Sequence, residues 1–140
     1  MVVTPRYLDV NVFVYWLGKH PMFGEAAYKW IKSVEDAPSG EYVTSSLTVY
    51  EILVIVAGLT GKSLRDDKFV EEIIDAITSL KGLAIEPLMD EDIIWAFDLM
   101  KKYGLDYEDS LHLSVALRTG AKEIISNDED FDRTPVKRLF

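Results

Sequence analysis

The stretch from Asp106 to Asp132 constrains this chain more than any other, because it reads as helix, turn and strand with carboxylates at both working ends. Asp106 stands where an N-cap belongs and Asp109 falls in the first helical turn. Gly120 follows the last residue in helical period, where a left-handed C-cap favours glycine. Ser110, Ser114 and Ala116 are small enough to let this helix approach a sheet closely. The run Glu123 to Ser126 then reads as a short strand that stops abruptly in Asn127-Asp128-Glu129-Asp130-Phe131-Asp132. Open α/β sheets bind ligands beyond the carboxyl ends of their strands, so Asp109 and Asp128 could converge on one site.

Upstream, short apolar runs alternate with amphipathic helices. Residues 6–10 read as a strand entered through Pro5, with Asp9 at its end, and Asn11 to Leu17 as a short helix turning back over it. Ala26, Ala27, Trp30, Ile31 and Val34 recur at helical spacing between Gly24 and Asp36, bracketed by Pro21 and Pro38. Tyr42 to Thr44 reads as a second strand, and Ser45 or Ser46 caps a helix running to about Leu59. Ser63 to Leu80 is amphipathic with Phe69, Val70, Ile73, Ile74 and Ile77 inward, and it ends at Gly82. Leu83 to Glu86, closed by Pro87, reads as a third strand. Asp90 caps a further helix with Ile93, Ala96, Phe97 and Met100 inward, which Gly104 stops, and Val136 to Phe140 adds a terminal edge strand. This alternation predicts an α/β fold with a mostly parallel central sheet covered on both faces. Right-handed crossovers would bring the carboxyl ends of all its strands to one edge. At 140 residues, with no linker, repeat or low-complexity segment, the chain reads as a single domain.

Hydrophobic residues make up 49% of the chain, enough for a sizeable core. No apolar run is long enough to cross a bilayer, and the N-terminus lacks the pattern of a secretion signal, so a soluble cytoplasmic protein with no membrane partner is expected. The absence of cysteine excludes disulfides, thiolate nucleophiles and cysteine-ligated zinc or iron–sulfur sites. With His20 and His112 as the two imidazoles, zinc is disfavoured as well. A formal charge of −9 argues against broad electrostatic adhesion to nucleic acid, but it leaves room for a local site whose phosphate affinity comes from bound cations.

Four acidic residues from separate segments stand out: Asp9, Glu51, Asp109 and Asp128. Taken singly, Asp9 reads equally as a helix cap, Asp109 as a favourable N-terminal charge and Asp128 as a turn former. Glu51 is harder to explain structurally. Its helix is apolar almost all round, with Leu47, Val54 and Ile55 as its helical neighbours, so its carboxylate needs a partner or a proton. If the four meet, their repulsion in a partly dry pocket calls for cations. Hard oxygen ligands suit Mg²⁺ or Mn²⁺, and two such ions about 3.5–4 Å apart can activate a water and stabilise a leaving oxygen in phosphodiester cleavage.

These residues resemble the motifs of the PIN domain family, in particular its VapC-type toxin ribonucleases. Tyr7-Leu8-Asp9-Val10-Asn11 is similar to the first motif, Ser45 to Ile55 with Glu51 to the second, Gly104 through Asp109 to Ala116 to the third, and Ile125 to Phe131 to the fourth. The resemblance spans essentially the whole chain. It implies a PIN-like three-layer α/β/α fold around four to five strands, and a metal-dependent endoribonuclease. Asp9, Glu51, Asp109 and Asp128 would then ligate one or two Mg²⁺ or Mn²⁺ ions directly or through water. Asn11 and Ser126 would be polar supports and Asp130 a secondary acid, with Asp132 past the motif in an exposed turn. It also implies an RNA substrate, a homodimer and a small antitoxin partner in a toxin–antitoxin pair.

His112, one turn after Asp109, could touch substrate or a carboxylate, or simply pack. Arg118, Lys122, Arg133, Lys137 and Arg138 could guide a phosphate backbone. Three rival functions compete with this one. A haloacid-dehalogenase-like phosphatase would need a carboxyl acid two residues after Asp9, where Asn11 stands. A receiver domain would need an adjacent acidic pair at the first strand end and a late-strand lysine. A non-catalytic PIN-fold binding scaffold would have no use for an uncompensated Glu51.

Overall fold

The computed structural model describes residues 4–140. Five strands form one sheet: β1 (Arg6–Leu8), β2 (Tyr42–Ser45), β3 (Leu83–Glu86), β4 (Glu123–Ile125) and β5 (Lys137–Leu139). Their order is β3-β2-β1-β4-β5, and every pairing is parallel. Tyr7 sits opposite Val43 on one side and Ile124 on the other. The expected terminal edge strand is present, and it too runs parallel.

Six helices cover the sheet: α1 (Val10–Leu17), α2 (Gly24–Asp36), α3 (Ser46–Thr60), α4 (Asp67–Thr78), α5 (Asp90–Tyr103) and α6 (Tyr107–Arg118). Successive strand residues point to opposite faces, and the core divides accordingly. Leu8, Tyr42 and Ile125 pack with Phe13, Ile31, Ile52, Phe69, Ile73 and Ile77 from α1 to α4. Tyr7, Val43 and Ile124 pack with Leu99, Leu113, Val115 and Ala116 from α5 and α6. The result is the α/β/α arrangement of three layers. Ser110, Ser114 and Ala116 are fully buried, as their small size suggested. Among the described residues no helix is long and apolar enough to cross a membrane.

Among the boundaries that differ from the sequence reading, three differ for a capping reason. β1 stops at Leu8 because Asp9 takes the Val10 N–H on Oδ1 at 2.8 Å and starts α1 one residue earlier than expected. The helix expected from Ser63 begins at Asp67, since Asp66 caps it by accepting from Phe69 N–H at 3.2 Å, while the Ser63 hydroxyl closes a turn onto Arg65 N–H. Asp90 does not cap α5; Asp92 reaches back to the Met89 N–H at 2.9 Å instead. Two glycines are needed for their backbone. Gly120 has φ +83 after α6, and Gly82 lies so close to Val34 O that a Cβ would collide with it.

The chain runs outward from β1 to β2 and β3, then returns to place β4 on the other side of β1. The order therefore reverses between β1 and β4, and the crevice beyond their carboxyl ends is the switch point where such sheets bind ligands. Asp9 and Ser126 lie at that point.

Candidate metal centre

Asp9 is buried where β1 ends, its N–H bonded to Ile125 O of β4 at 3.0 Å. The Ser126 hydroxyl donates to Asp9 Oδ2 at 2.6 Å, and the Asn11 amide reaches the same oxygen at 3.3 Å and Ser126 Oγ at 3.2 Å. Ser126 Oγ also accepts from the Asp128 N–H at 3.0 Å, and Asn11 Oδ1 from the Asn127 N–H at 3.3 Å. Asn11 and Ser126 thus tie the first turn of α1 to the loop after β4. Burial pushes the Asp9 carboxyl above the usual carboxylate range, opposed by the positive charge of His112 and the Ser126 hydrogen bond.

Beside it, Asp109, Asp128 and Asp130 place one carboxylate oxygen each within 4.8 Å of one another. Asp109 sits in the first turn of α6, which Asp106 caps by accepting from Asp109 N–H at 2.8 Å. Asp128 accepts from the Asp130 N–H at 2.9 Å, opening a 3₁₀ turn over Glu129–Arg133. Asp130 faces solvent and pairs with Arg133 at 3.1 Å. The half-buried Asp109 carboxyl is pushed up to about 8, by burial first and then by the charges of Asp128, Asp106 and Asp9.

Glu51 belongs to a second, adjoining group. It is 8% exposed on α3, and the partner its setting demanded is His112, whose Nε2 lies 2.6 Å from Glu51 Oε1. The other ring nitrogen, Nδ1, is 2.7 Å from the Tyr7 hydroxyl. Glu51, Glu108 and His112 bring ligand atoms within 4.8 Å of one another. Burial acts to raise Glu51, but the His112 hydrogen bond and the nearby Glu108 carboxyl outweigh it and leave the carboxyl below its ordinary value. Glu108 moves the other way: the adjoining Glu51 carboxylate, then burial, raise it to about 7. Burial would depress His112, but Tyr7, Glu51 and Asp9 hold it well above the ordinary imidazole value. The charge on His112 links the two groups, because it acts on Asp9 as well as on Glu51.

The structure therefore brings Asp9, Asp109 and Asp128 to one edge and sets Glu51 beside them, bound to His112, rather than merging the four into one cluster. Glu108 was not legible as part of the site, since an exposed glutamate in a first helical turn is unremarkable. Three of the five basic residues that could guide phosphate are committed elsewhere. Arg118 forks onto Asp92, which is 1% exposed, and reaches Pro87 O; Arg138 pairs with Asp132 at 2.9 Å and reaches Ser126 O; Arg133 pairs with Asp130. Asp132 is exposed as expected, but that ion pair occupies it.

The residues fit a hard divalent cation on two observations. Glu51 Oε2 is buried without a hydrogen-bond partner. Burial and neighbouring carboxylates raise Asp109 to about 8 and Glu108 to about 7, disfavouring their ionised forms, and a bound cation reverses that preference.

A sequence profile of the PIN domain matches residues 6–137. No curated protein matches the chain in sequence. Among solved structures, the chain is similar to Mycobacterium tuberculosis VapC20, described as a Sarcin-Ricin loop cleaving toxin, with a TM-score of 0.70 and 12% identity over 90% of this chain and 92% of that one. A toxin-antitoxin complex from Klebsiella pneumoniae aligns with a TM-score of 0.67 and 18% identity, over 94% of this chain and 98% of the other. VapBC2 from Rickettsia felis, bound to a DNA fragment from its promoter, aligns with a TM-score of 0.67 and 20% identity over 97% and 98%. At these identities the structures establish a shared fold, and the profile match over nearly the whole chain establishes the family: this protein belongs to the PIN domain family.

Proposed function

We propose that this chain is a VapC-type endoribonuclease that depends on Mg²⁺ or Mn²⁺ and serves as the toxin of a toxin–antitoxin pair in the cytoplasm. The crowding of Asp109 against Asp128 and Asp9 at the switch point carries this reading, since uncompensated carboxylates gather there at a cost in the metal-free chain. Asp9, Glu51, Asp109 and Asp128 would hold one or two ions. When bound, the ions supply positive charge for the scissile phosphate, a more acidic water and stabilisation of the departing 3′-oxygen. Asn11 and Ser126 hold Asp9 in place, and Asp130 stands at the rim as a secondary acid. RNA as substrate is supported by the likeness to a Sarcin-Ricin loop cleaving toxin.

A phosphatase of the haloacid dehalogenase kind is disfavoured, because the Asn11 amide donates to Asp9 and Ser126 and cannot deliver a proton as an acid. A binding scaffold is disfavoured by the retained acidic set. The antitoxin proposal is supported by the likeness to two toxin–antitoxin assemblies; its basic side chain would enter the acidic edge. A homodimer is supported by exposed apolar side chains on two helices: Tyr50, Val54 and Leu59 on α3, and on α5 Ile94 together with Ile93 and Phe97, which the helical period had placed inward. Tyr50, Val54 and Ile55 line a shallow cleft with Glu51 and Glu108, and the Tyr107 hydroxyl ties the start of α6 to Ile93 O. Phe69, Ile73 and Ile77 of α4 lie in the core and form no part of that surface.

The test is cleavage of single-stranded and structured RNA by purified protein. Cleavage with Mn²⁺ or Mg²⁺ that stops on chelation and is absent from Asp9→Asn is expected. Cleavage persisting in excess chelator, or equal in Asp9→Asn, contradicts the proposal.

A further inference from the structure

His112 links side chains from three elements beside the acidic edge. It projects from α6 and is 1% exposed, with Tyr7 of β1 at 2.7 Å from Nδ1 and Glu51 of α3 at 2.6 Å from Nε2. An ionised carboxylate only accepts hydrogen bonds, so Nε2 donates to Glu51 Oε1 whichever state the ring adopts. The phenol at Nδ1 then fixes the ring, as a partner on the far nitrogen of an imidazole does. One oxygen of Glu51 is thereby occupied. The other, Oε2, is buried and has no hydrogen-bond partner.

We propose that His112, steadied by Tyr7, is a positioning residue that pins Glu51 through Oε1 and restricts it to coordinating a divalent cation through Oε2 alone. The inference rests on the reading of Glu51 as a cation ligand and deepens it into a statement about selectivity. Ca²⁺ accepts bidentate carboxylates in a large, adaptable oxygen shell, whereas Mg²⁺ and Mn²⁺ favour octahedral oxygen sites. A glutamate held to one oxygen therefore favours the smaller ions. Freeing Oε1 removes that bias. A Tyr–His–Glu line serving only the fold would change stability on mutation and leave the preference between cations where it was.

The test is titration calorimetry of metal-free protein with Mn²⁺ and, separately, with Ca²⁺. Wild type is compared with His112→Asn, His112→Gln and Tyr7→Phe. Asparagine is too short to reach Glu51, while glutamine keeps an amide donor on a longer arm. In His112→Asn the Mn²⁺ affinity is expected to fall by about 10–100-fold, as for loss of a group that orients a metal ligand. Ca²⁺ affinity should fall less, so the Mn²⁺/Ca²⁺ affinity ratio drops. His112→Gln recovers part of the ratio, and Tyr7→Phe shifts it the same way by a smaller factor. An unchanged ratio in both His112→Asn and Tyr7→Phe overturns the proposal, whatever their stabilities; if His112→Asn does not fold, Tyr7→Phe decides alone. A wild type that binds neither cation removes the metal-site reading and this inference with it, whereas wild-type binding with an unchanged ratio removes only the inference.

Discussion

Ser126 donates its hydroxyl to Asp9 Oδ2 at 2.6 Å, joining the ends of two neighbouring parallel strands whose residues are 117 positions apart in sequence. The same oxygen of Ser126 accepts from the Asp128 N–H and the Asn11 amide, so one small side chain organises three members of the acidic edge.

Replacing it tests that role. Ser126→Ala leaves a buried carboxylate short of a donor and the Asp128 N–H without its acceptor, which should cost about 1–3 kcal/mol. Urea denaturation of the metal-free protein measures this, and RNA cleavage should fall in parallel. A stability change within about 0.5 kcal/mol, the range of an ordinary surface substitution, would count against the network.

The metal-free protein should lose stability as pH rises through neutrality. Asp109 is raised from 3.8 to about 8, so the folded chain binds that proton more tightly than the unfolded one. Its contribution is fully present below the unfolded value and disappears as pH rises through about 8. Glu108, raised from 4.5 to about 7, and His112, raised well above 6.5, act in the same direction. Asp92, held below its ordinary value by Arg118 against the cost of burial, contributes stability that is lost only as pH falls through the acid range. Denaturation midpoints in chelator from pH 5 to about 8.5 should therefore decline, and Asp109→Asn should flatten the decline. A flat or rising wild-type profile across that range contradicts the assignment.

Sedimentation should give twice the chain mass of 15.9 kDa. Ile94→Asp, at a position 73% exposed on α5, should return one chain mass with the helical content intact. A wild-type monomer, or a dimer indifferent to Ile94→Asp, would remove α5 from the interface.

Element order and the acidic edge were legible because both are written locally. The Gly120 turn, the spacing of Ala27, Ile31 and Val34, the acid directly after β1 and the acidic loop after β4 each follow from a period or a cap. Glu51 was recognisable as anomalous on the same ground, since a carboxylate on an apolar helix signals a missing partner. The partner's identity was not legible. Glu51 and His112 are 61 positions apart, and only tertiary packing brings them together. Tyr7 looks like an ordinary strand aromatic until that packing directs its hydroxyl at the ring. Asp92 likewise reads as a first-turn helix acid, and nothing local to it announces Arg118. Strand and helix boundaries slipped where two neighbouring polar residues compete for one cap, as at Asp66 against Ser63 and at Asp92 against Asp90.

The most direct measurement is the stabilisation that Mn²⁺ confers on wild type, Asp9→Asn, Glu51→Gln, Asp109→Asn and Asp128→Asn. Glu71→Gln on the exposed face of α4 serves as control, because the Asp132 carboxylate is tied to Arg138. Wild type and control should gain about 2.7 kcal/mol when free metal is near 100 times its dissociation constant, since only the folded chain has the site. Each of the four variants should gain much less. Metal-free Asp109→Asn should be at least as stable as wild type, because the charges of Asp128, Asp106 and Asp9 no longer oppose it. The contrary result is a metal-free stability lowered by about 0.5–2 kcal/mol, as for a lost cap, with the full metal response retained in Asp109→Asn and Glu51→Gln. It would show these carboxylates to be structural.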